Sequence, residues 1–140
     1  MNPYTYVEIL NSRKKSHDYL KKNPSWELLA TKIEEMLSDT TVISNADFTL
    51  EMMADKIGSN RMYVSQVIND VFQKNFNTLL NEHRIRAAMR LLMDNSKNIY
   101  TIEAIGNMVG FKSKSVFFPI FKKITGLTPS AFQKNSAEKQ

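Results

Sequence analysis

Cysteine is absent from this chain, which excludes disulfides and thiolate metal sites. Histidine is nearly absent. The two present, His17 and His83, stand far apart with no carboxylate-rich ligand pattern beside them, so no metal site is expected. No apolar run approaches the ~18 residues that cross a bilayer, and the N-terminus lacks the apolar core of a signal peptide. The cytoplasm is therefore the expected location, without membrane insertion. Enzyme chemistry is equally thin. No paired carboxylates lie near a histidine, and there is no glycine-rich phosphate loop or nucleophile motif. Neither an enzyme nor a cofactor is expected. The 140 residues suffice for one helical domain or for two small helical subdomains that share an element.

What the chain does have is unevenly distributed positive charge. The total is +5, made of three blocks. Residues 1–25 carry five Lys/Arg against two carboxylates, residues 26–58 two against seven, and residues 59–140 twelve against five. The basic block suits a polyanionic partner.

The stretch Asn77–Asp94 reads as a central rod. Leu79, Leu80, His83, Ala87, Leu91 and Leu92 recur at helical spacing, with Ile85 and Ala88 widening the stripe enough to touch material on more than one side. Arg84, Arg86 and Arg90 are expected on its polar side. Asn77 is the expected N-cap, and Asp94-Asn95-Ser96 the stop.

Two copies of one pattern flank the rod. TLEMMADKIGSNRMYVSQVI (Thr49–Ile68) and TIEAIGNMVGFKSKSVFFPIF (Thr101–Phe121) both open on a threonine, an N-cap type, followed by an apolar residue and a glutamate. Ala54 matches Gly106 and Gly58 matches Gly110. After the turn the second copy has one extra residue, so Val64 matches Phe117, Val67 matches Ile120 and Ile68 matches Phe121. Two helices that cross steeply need a small residue at closest approach, and the reversal after the first needs a residue that takes positive φ at little cost. The pattern therefore reads as helix, glycine turn, helix, twice. The second helix of each pair is expected to be capped by Ser59 or Ser113.

Elsewhere the chain predicts a helix from Pro24 to about Ser38, packed through Trp26, Leu29, Ala30, Ile33 and Leu37. Asp39–Asp47 reads as a loop turning at Asn45, and Phe48 as a staple against Met53. Gly126 should stop the last helix of the second pair. Thr128 and Pro129 should begin a final short helix packed through Phe132. In the first pair, Val64, Val67, Ile68 and Val71 are the expected core, leaving Arg61, Met62, Ser65, Gln66 and Asn69 outward. Residues of these types can bond base edges and phosphates.

The run IGNMVGFKSKSVFFPIFKKITGLTPSAFQK resembles the C-terminal signature of the AraC/XylS family of bacterial transcription regulators. The likeness is carried by Gly110-Phe111, Phe117, Phe121-Lys122-Lys123, Gly126, Thr128-Pro129 and Phe132. SNRMYVSQVINDVFQKNFNTLLNEHRIRAAMRLL resembles the family's first motif and linker, so the match covers roughly Leu28–Lys134. The resemblance implies an all-α fold of two tri-helical, homeodomain-like helix-turn-helix subdomains joined by a central linker helix, about seven helices in all. The expected divisions are 1–22 (tail or connecting segment), 23–76, 77–94 (linker), 95–134 and 135–140 (frayed).

The resemblance also implies two recognition helices entering adjacent major-groove segments of duplex DNA. The candidate DNA contacts are Asn60, Arg61, Met62, Ser65, Gln66 and Asn69 in the first unit, and Lys112, Ser113, Lys114, Ser115, Phe118 and Lys122 in the second. RNA polymerase, or a sensor domain or partner regulator, are the further partners it allows. The length leaves no room for a sensor domain of ordinary size, so the expectation is a fragment of a larger regulator or a short stand-alone one. The alternative function is a protein-interaction module of the same fold with weak or lost specific DNA binding. Two positions depart from the family pattern. Gln73 stands where glycine is usual. Pro119 stands where Arg or another polar residue is common, about six residues into the second recognition helix, where it removes a backbone bond and costs ~3 kcal/mol in an ideal helix. The second unit is accordingly expected to hold phosphates through Lys112, Lys114 and Lys122 more than to read bases.

Overall fold

The computed structural model describes residues 24–95 and 97–138. The expected N-terminal tail (1–22), Ser96 of the expected stop, and positions 139–140 lie outside the described residues. Eight α-helices occur among the described residues, and no strand: α1 Pro24–Leu37, α2 Thr40–Ile43, α3 Leu50–Ile57, α4 Arg61–Phe72, α5 Phe76–Asp94, α6 Ile102–Met108, α7 Lys114–Thr125 and α8 Pro129–Glu138. The segment expected as a loop, Asp39–Asp47, contains α2. Four residues are too few for a helical period to show in sequence. Asn45 does turn the chain, its Oδ1 accepting the Asp47 N–H at 3.0 Å. The last helix reaches Glu138, beyond the point where fraying was expected.

The caps explain where the helices begin. Thr49 Oγ1 accepts the Met52 N–H, Thr101 Oγ1 the Ala104 N–H, and Thr128 Oγ1 the Ala131 N–H, at 3.2, 3.0 and 3.1 Å. Each satisfies one of the four free donors of a helix start. Two expected caps are corrected, and a third holds its position without the bond. Asn60, one residue after Ser59, caps α4 by accepting the Tyr63 N–H at 2.8 Å. Asn75, two residues before Asn77, caps α5 through the Thr78 N–H at 2.8 Å. Ser113 has extended cap geometry at the start of α7 but makes no side-chain cap bond; its hydroxyl lies 3.1 Å from that of Ser115.

The chain clusters into two compact units. The first contains the described part of Met1–Asp39 together with Phe48–Leu80; the second contains Thr40–Asp47 and everything from Asn81 onward. Helix α5 thus gives its first turn to one unit and its body to the other, and α2 belongs to the second unit although α1 and α3 belong to the first.

In the first unit α1 buries Trp26, Leu29, Ala30, Ile33 and Leu37; α3 adds Met53 and Ala54; and α4 buries Val64, Val67, Ile68 and Val71. These are the residues the 3.6-residue period selects. Phe48 and Phe76 are also buried, their rings 6.0 Å apart, and Trp26 meets Tyr63 edge-on at 6.0 Å. Gly58 ends α3 at φ +82°. Gln73 ends α4 in the same left-handed region, at φ +58°, with its Nε2 donating to the Asp70 carbonyl at 2.8 Å. The departure from glycine therefore leaves the helix stop in place at the cost of strain in a non-glycine residue. Gln73→Gly is expected to raise the stability by about 1 kcal/mol, seen as a higher urea midpoint with unchanged slope. A lower midpoint would mean that the bond to Asp70 outweighs the strain.

The second unit is built on aromatic rings. Phe111, Phe117 and Phe121 are buried, with Phe117 5.1 Å from Phe111 and 5.7 Å from Phe121; Phe132 joins at 5.6 Å from Phe121. Gly106 makes room for them: a Cβ there would stand 2.5 Å from the Phe117 ring. At the matching places in the repeat, the first unit has Ala54 and Val64 where the second has Gly106 and Phe117, so the larger side chain goes with the smaller residue. Asn95 bonds both the N–H and the carbonyl of Tyr100, at 3.0 and 2.8 Å, and also Gln133 of α8 at 3.0 Å.

Arg84 corrects the expected polar side of the rod. It is 7% exposed, its Nε donating to the Ile43 carbonyl at 2.7 Å and its Nη2 to the Asn45 carbonyl at 2.8 Å. Phe111 lies against the guanidinium at 5.9 Å. Desolvation by burial lowers the Arg84 pKa from its ordinary value. Glu82, His83, Arg84 and Ile85 are buried in succession, so this turn of α5 is covered all round.

Candidate nucleic-acid interface

The outward face of α4 follows from its core. With Val64, Val67, Ile68 and Val71 inward, a helix of 3.6 residues per turn carries Met62, Gln66 and Asn69 on the opposite side. All three are exposed, Met62 to 81%. Ser65 is half-buried at the edge of this face. Asn60 is exposed, with its Oδ1 engaged as the cap. Arg61 is held: its Nε lies 2.9 Å from Glu51 Oε1, both side chains well exposed. Glu51 sits in the first turn of α3, where a carboxylate also suits the helix dipole.

In α7, Phe117, Phe121 and Ile124 face inward. The opposite side carries Ser115, Pro119 and Lys122, all exposed. Through the repeat, Met62 corresponds to Ser115, Gln66 to Pro119 and Asn69 to Lys122. The middle of the outward face is therefore an amide in one unit and a proline in the other. Helix α7 continues through Pro119, which lacks the N–H that would bond the Ser115 carbonyl. Phe118, the counterpart of Ser65, is likewise half-buried, its ring 5.8 Å from Phe117. Lys114 and Lys123 are exposed.

Lys112 lies in the turn before α7 with its Nζ 3.1 Å from Asp47 Oδ1, so part of its charge is neutralised within the unit. Asp47, Glu51 and exposed Val116 were not singled out from the sequence. The two carboxylates meet their cations only through the tertiary fold, and spacing gave no sign of either pair.

The second unit also holds an open groove of about 500 Å³, lined mainly by α2, α5 and α6, with Arg90 and Asp94 among its polar groups. No group of three or more His, Cys, Asp or Glu is placed to hold a metal ion among the described residues, and none of their helices is long and apolar enough to cross a membrane.

Two units, each with a pair of helices joined by a sharp turn, in a basic chain define a tandem helix-turn-helix protein. Comparison with known proteins agrees. A family model described as a helix-turn-helix domain matches residues 53–135. The chain is 35% identical over 85 residues to the transcriptional activator AggR of Escherichia coli, covering 61% of this chain and 31% of that one. It is 31% identical over 135 residues to the HTH-type transcriptional activator CfaD of the same organism, covering 84% and 50%. Among solved structures it resembles the C-terminal domain of AraT, a response regulator from Geobacillus stearothermophilus, with a TM-score of 0.65 and 24% identity over 76% of this chain and 84% of that one; this likeness speaks to the fold. The chain belongs to the AraC-type helix-turn-helix family, whose members matched here are transcription regulators and not enzymes. It spans between about a third and a half of the length of these two relatives.

Proposed function

We propose that this chain binds duplex DNA sequence-specifically and regulates transcription, with its two recognition helices in adjacent major-groove segments. The observation that carries the reading is the α4 face, where Met62, Gln66 and Asn69 stand exposed without a carboxylate among them. Gln at the centre of such a face can donate to and accept from adenine in one bidentate contact. Through α7 the second unit supplies Lys114 and Lys122, which suit phosphates, and Pro119, which offers nothing to a base edge. In this reading α4 specifies the site, while α7 adds affinity and fixes register. RNA polymerase, or a sensor or partner regulator, would receive the outcome of binding.

The test is selection of duplexes from a random pool by the whole chain, then titration of the preferred duplex and of unrelated DNA. Gln66→Ala should cost about 1–3 kcal/mol on the preferred duplex and little on unrelated DNA. Equal losses on both would reduce Gln66 to a backbone contact. If no duplex is enriched and no salt-dependent binding appears, the fold serves a protein partner.

A further inference from the structure

Arg61 opens the recognition helix, and a free arginine there would be drawn to any phosphate. The structure shows it tied to a carboxylate through one particular nitrogen, Nε, at 2.9 Å from Glu51 Oε1. A guanidinium has five donors in a rigid planar fork. A carboxylate on the Nε side leaves the terminal Nη1/Nη2 edge available. That edge has the spacing to bond the O6 and N7 of one guanine in the major groove. The pair also has no net charge, which weakens the attraction of Arg61 for phosphates in general.

We infer that Glu51 is a positioning residue that turns Arg61 from a general phosphate contact into a reader of a single guanine. This rests on the DNA-binding reading above and deepens it. The surroundings support the assignment. Glu51 and Arg61 lie on α3 and α4 of one unit, each near the start of its helix, so the link joins the supporting helix to the reading helix. Met62, the neighbour of Arg61, is 81% exposed and leaves the approach to the helix start open. Both members of the pair are themselves exposed, so the fold depends little on them and the carboxylate can be removed without unfolding the chain. The two units also use their acids differently. In the second unit Asp47 pairs with Lys112, whose single ammonium has no second edge to present, so that pair lowers general affinity without adding a base contact.

The experiment uses the whole chain and its selected duplex, the set of single-base-pair variants of that duplex, and an unrelated duplex, each titrated over a range of KCl concentrations. Glu51→Gln keeps the size of the side chain and removes its charge. The expected result has two parts. Binding to the unrelated duplex strengthens, with a log–log salt slope steeper by about one, because Arg61 now displaces a counterion. At one guanine of the selected site, discrimination falls by roughly five- to a hundred-fold, while preferences at the other positions stay as they were. Arg61→Lys should lose discrimination at that same guanine while keeping the charge. Glu51→Asp should lose less at that guanine than Glu51→Gln does; a purely structural role for Glu51 would instead change all positions together. If Glu51→Gln strengthens binding to every duplex by one factor and leaves all base preferences intact, Glu51 is only a charge screen and the inference is wrong. It is equally wrong if Glu51→Gln changes nothing. Selection of a site by the unmodified chain with no Glu51-dependent position overturns this inference alone; failure to select any duplex overturns the DNA-binding reading as well.

Discussion

Replacing Gly110 by alanine is expected to destabilise the chain by about 3–5 kcal/mol, against about 1–2 kcal/mol for the same change at Gly58. The two glycines hold matching places in the repeat, and both have positive φ, +109° and +82°. A methyl group at Gly58 meets nothing within 4 Å, so only backbone strain opposes it. A methyl group at Gly110 would stand 2.4 Å from the Ile43 carbonyl oxygen and 2.6 Å from Arg84 Nε. Those two atoms are acceptor and donor of one hydrogen bond. The methyl would add overpacking against backbone to the strain and would push the bond apart. With total stabilities of about 5–15 kcal/mol for domains in general, such a loss approaches unfolding. Urea titrations of both variants, followed by helical circular dichroism, check it. Equal losses at the two sites would mean that the second unit relaxes around the methyl and that only φ matters.

Arg84→Met should cost about 2–4 kcal/mol. Methionine roughly replaces the apolar stem but leaves the Ile43 and Asn45 carbonyls without their donor, the first of them in a buried bond. The loss is tempered because burial also disfavours the cation, which is why its pKa is lowered. Arg84→Lys keeps a charge but replaces a planar fork by a single ammonium, so it should fall between the two. Thermal unfolding of the three proteins orders them. A methionine variant as stable as the parent would show that the tie to α2 adds no net stability.

The same arginine shows where reading the sequence stops. Its place in a polar run along the rod assigned it to solvent, because a periodic stripe sorts residues by type. A long side chain with an apolar stem can instead run inward if two carbonyls wait at its end, and those carbonyls belong to Ile43 and Asn45, about forty positions earlier. Helix α2 escaped for a local reason, being a single turn. The core of α4, the threonine caps at Thr49, Thr101 and Thr128, and the stops at Gly58 and Gly126 were legible because each is set by nearest neighbours or by one helical period. Residues 53–135, which carry the family match, contain most of these signals. On α4, four of the five residues expected outward, Arg61, Met62, Gln66 and Asn69, are exposed as the core positions imply, while Ser65 is half-buried. The pairs Glu51–Arg61 and Asp47–Lys112 were not legible, since each joins residues about ten or more positions apart through the turn geometry of a folded unit.

The non-equivalence of Gln66 and Pro119 gives the chain a front and a back. A regulator that pairs two identical subunits reads an inverted repeat and is indifferent to which way its site is written. A single chain whose two halves present an amide and a proline at the same place has no such indifference. On the reading proposed above, one bound chain reads an asymmetric site, and turning that site end for end would turn the bound chain with it. A surface that touches the transcription machinery in one orientation would then face away from it. Inverting the site in place would leave occupancy unchanged and reverse the direction in which the bound chain faces along the DNA.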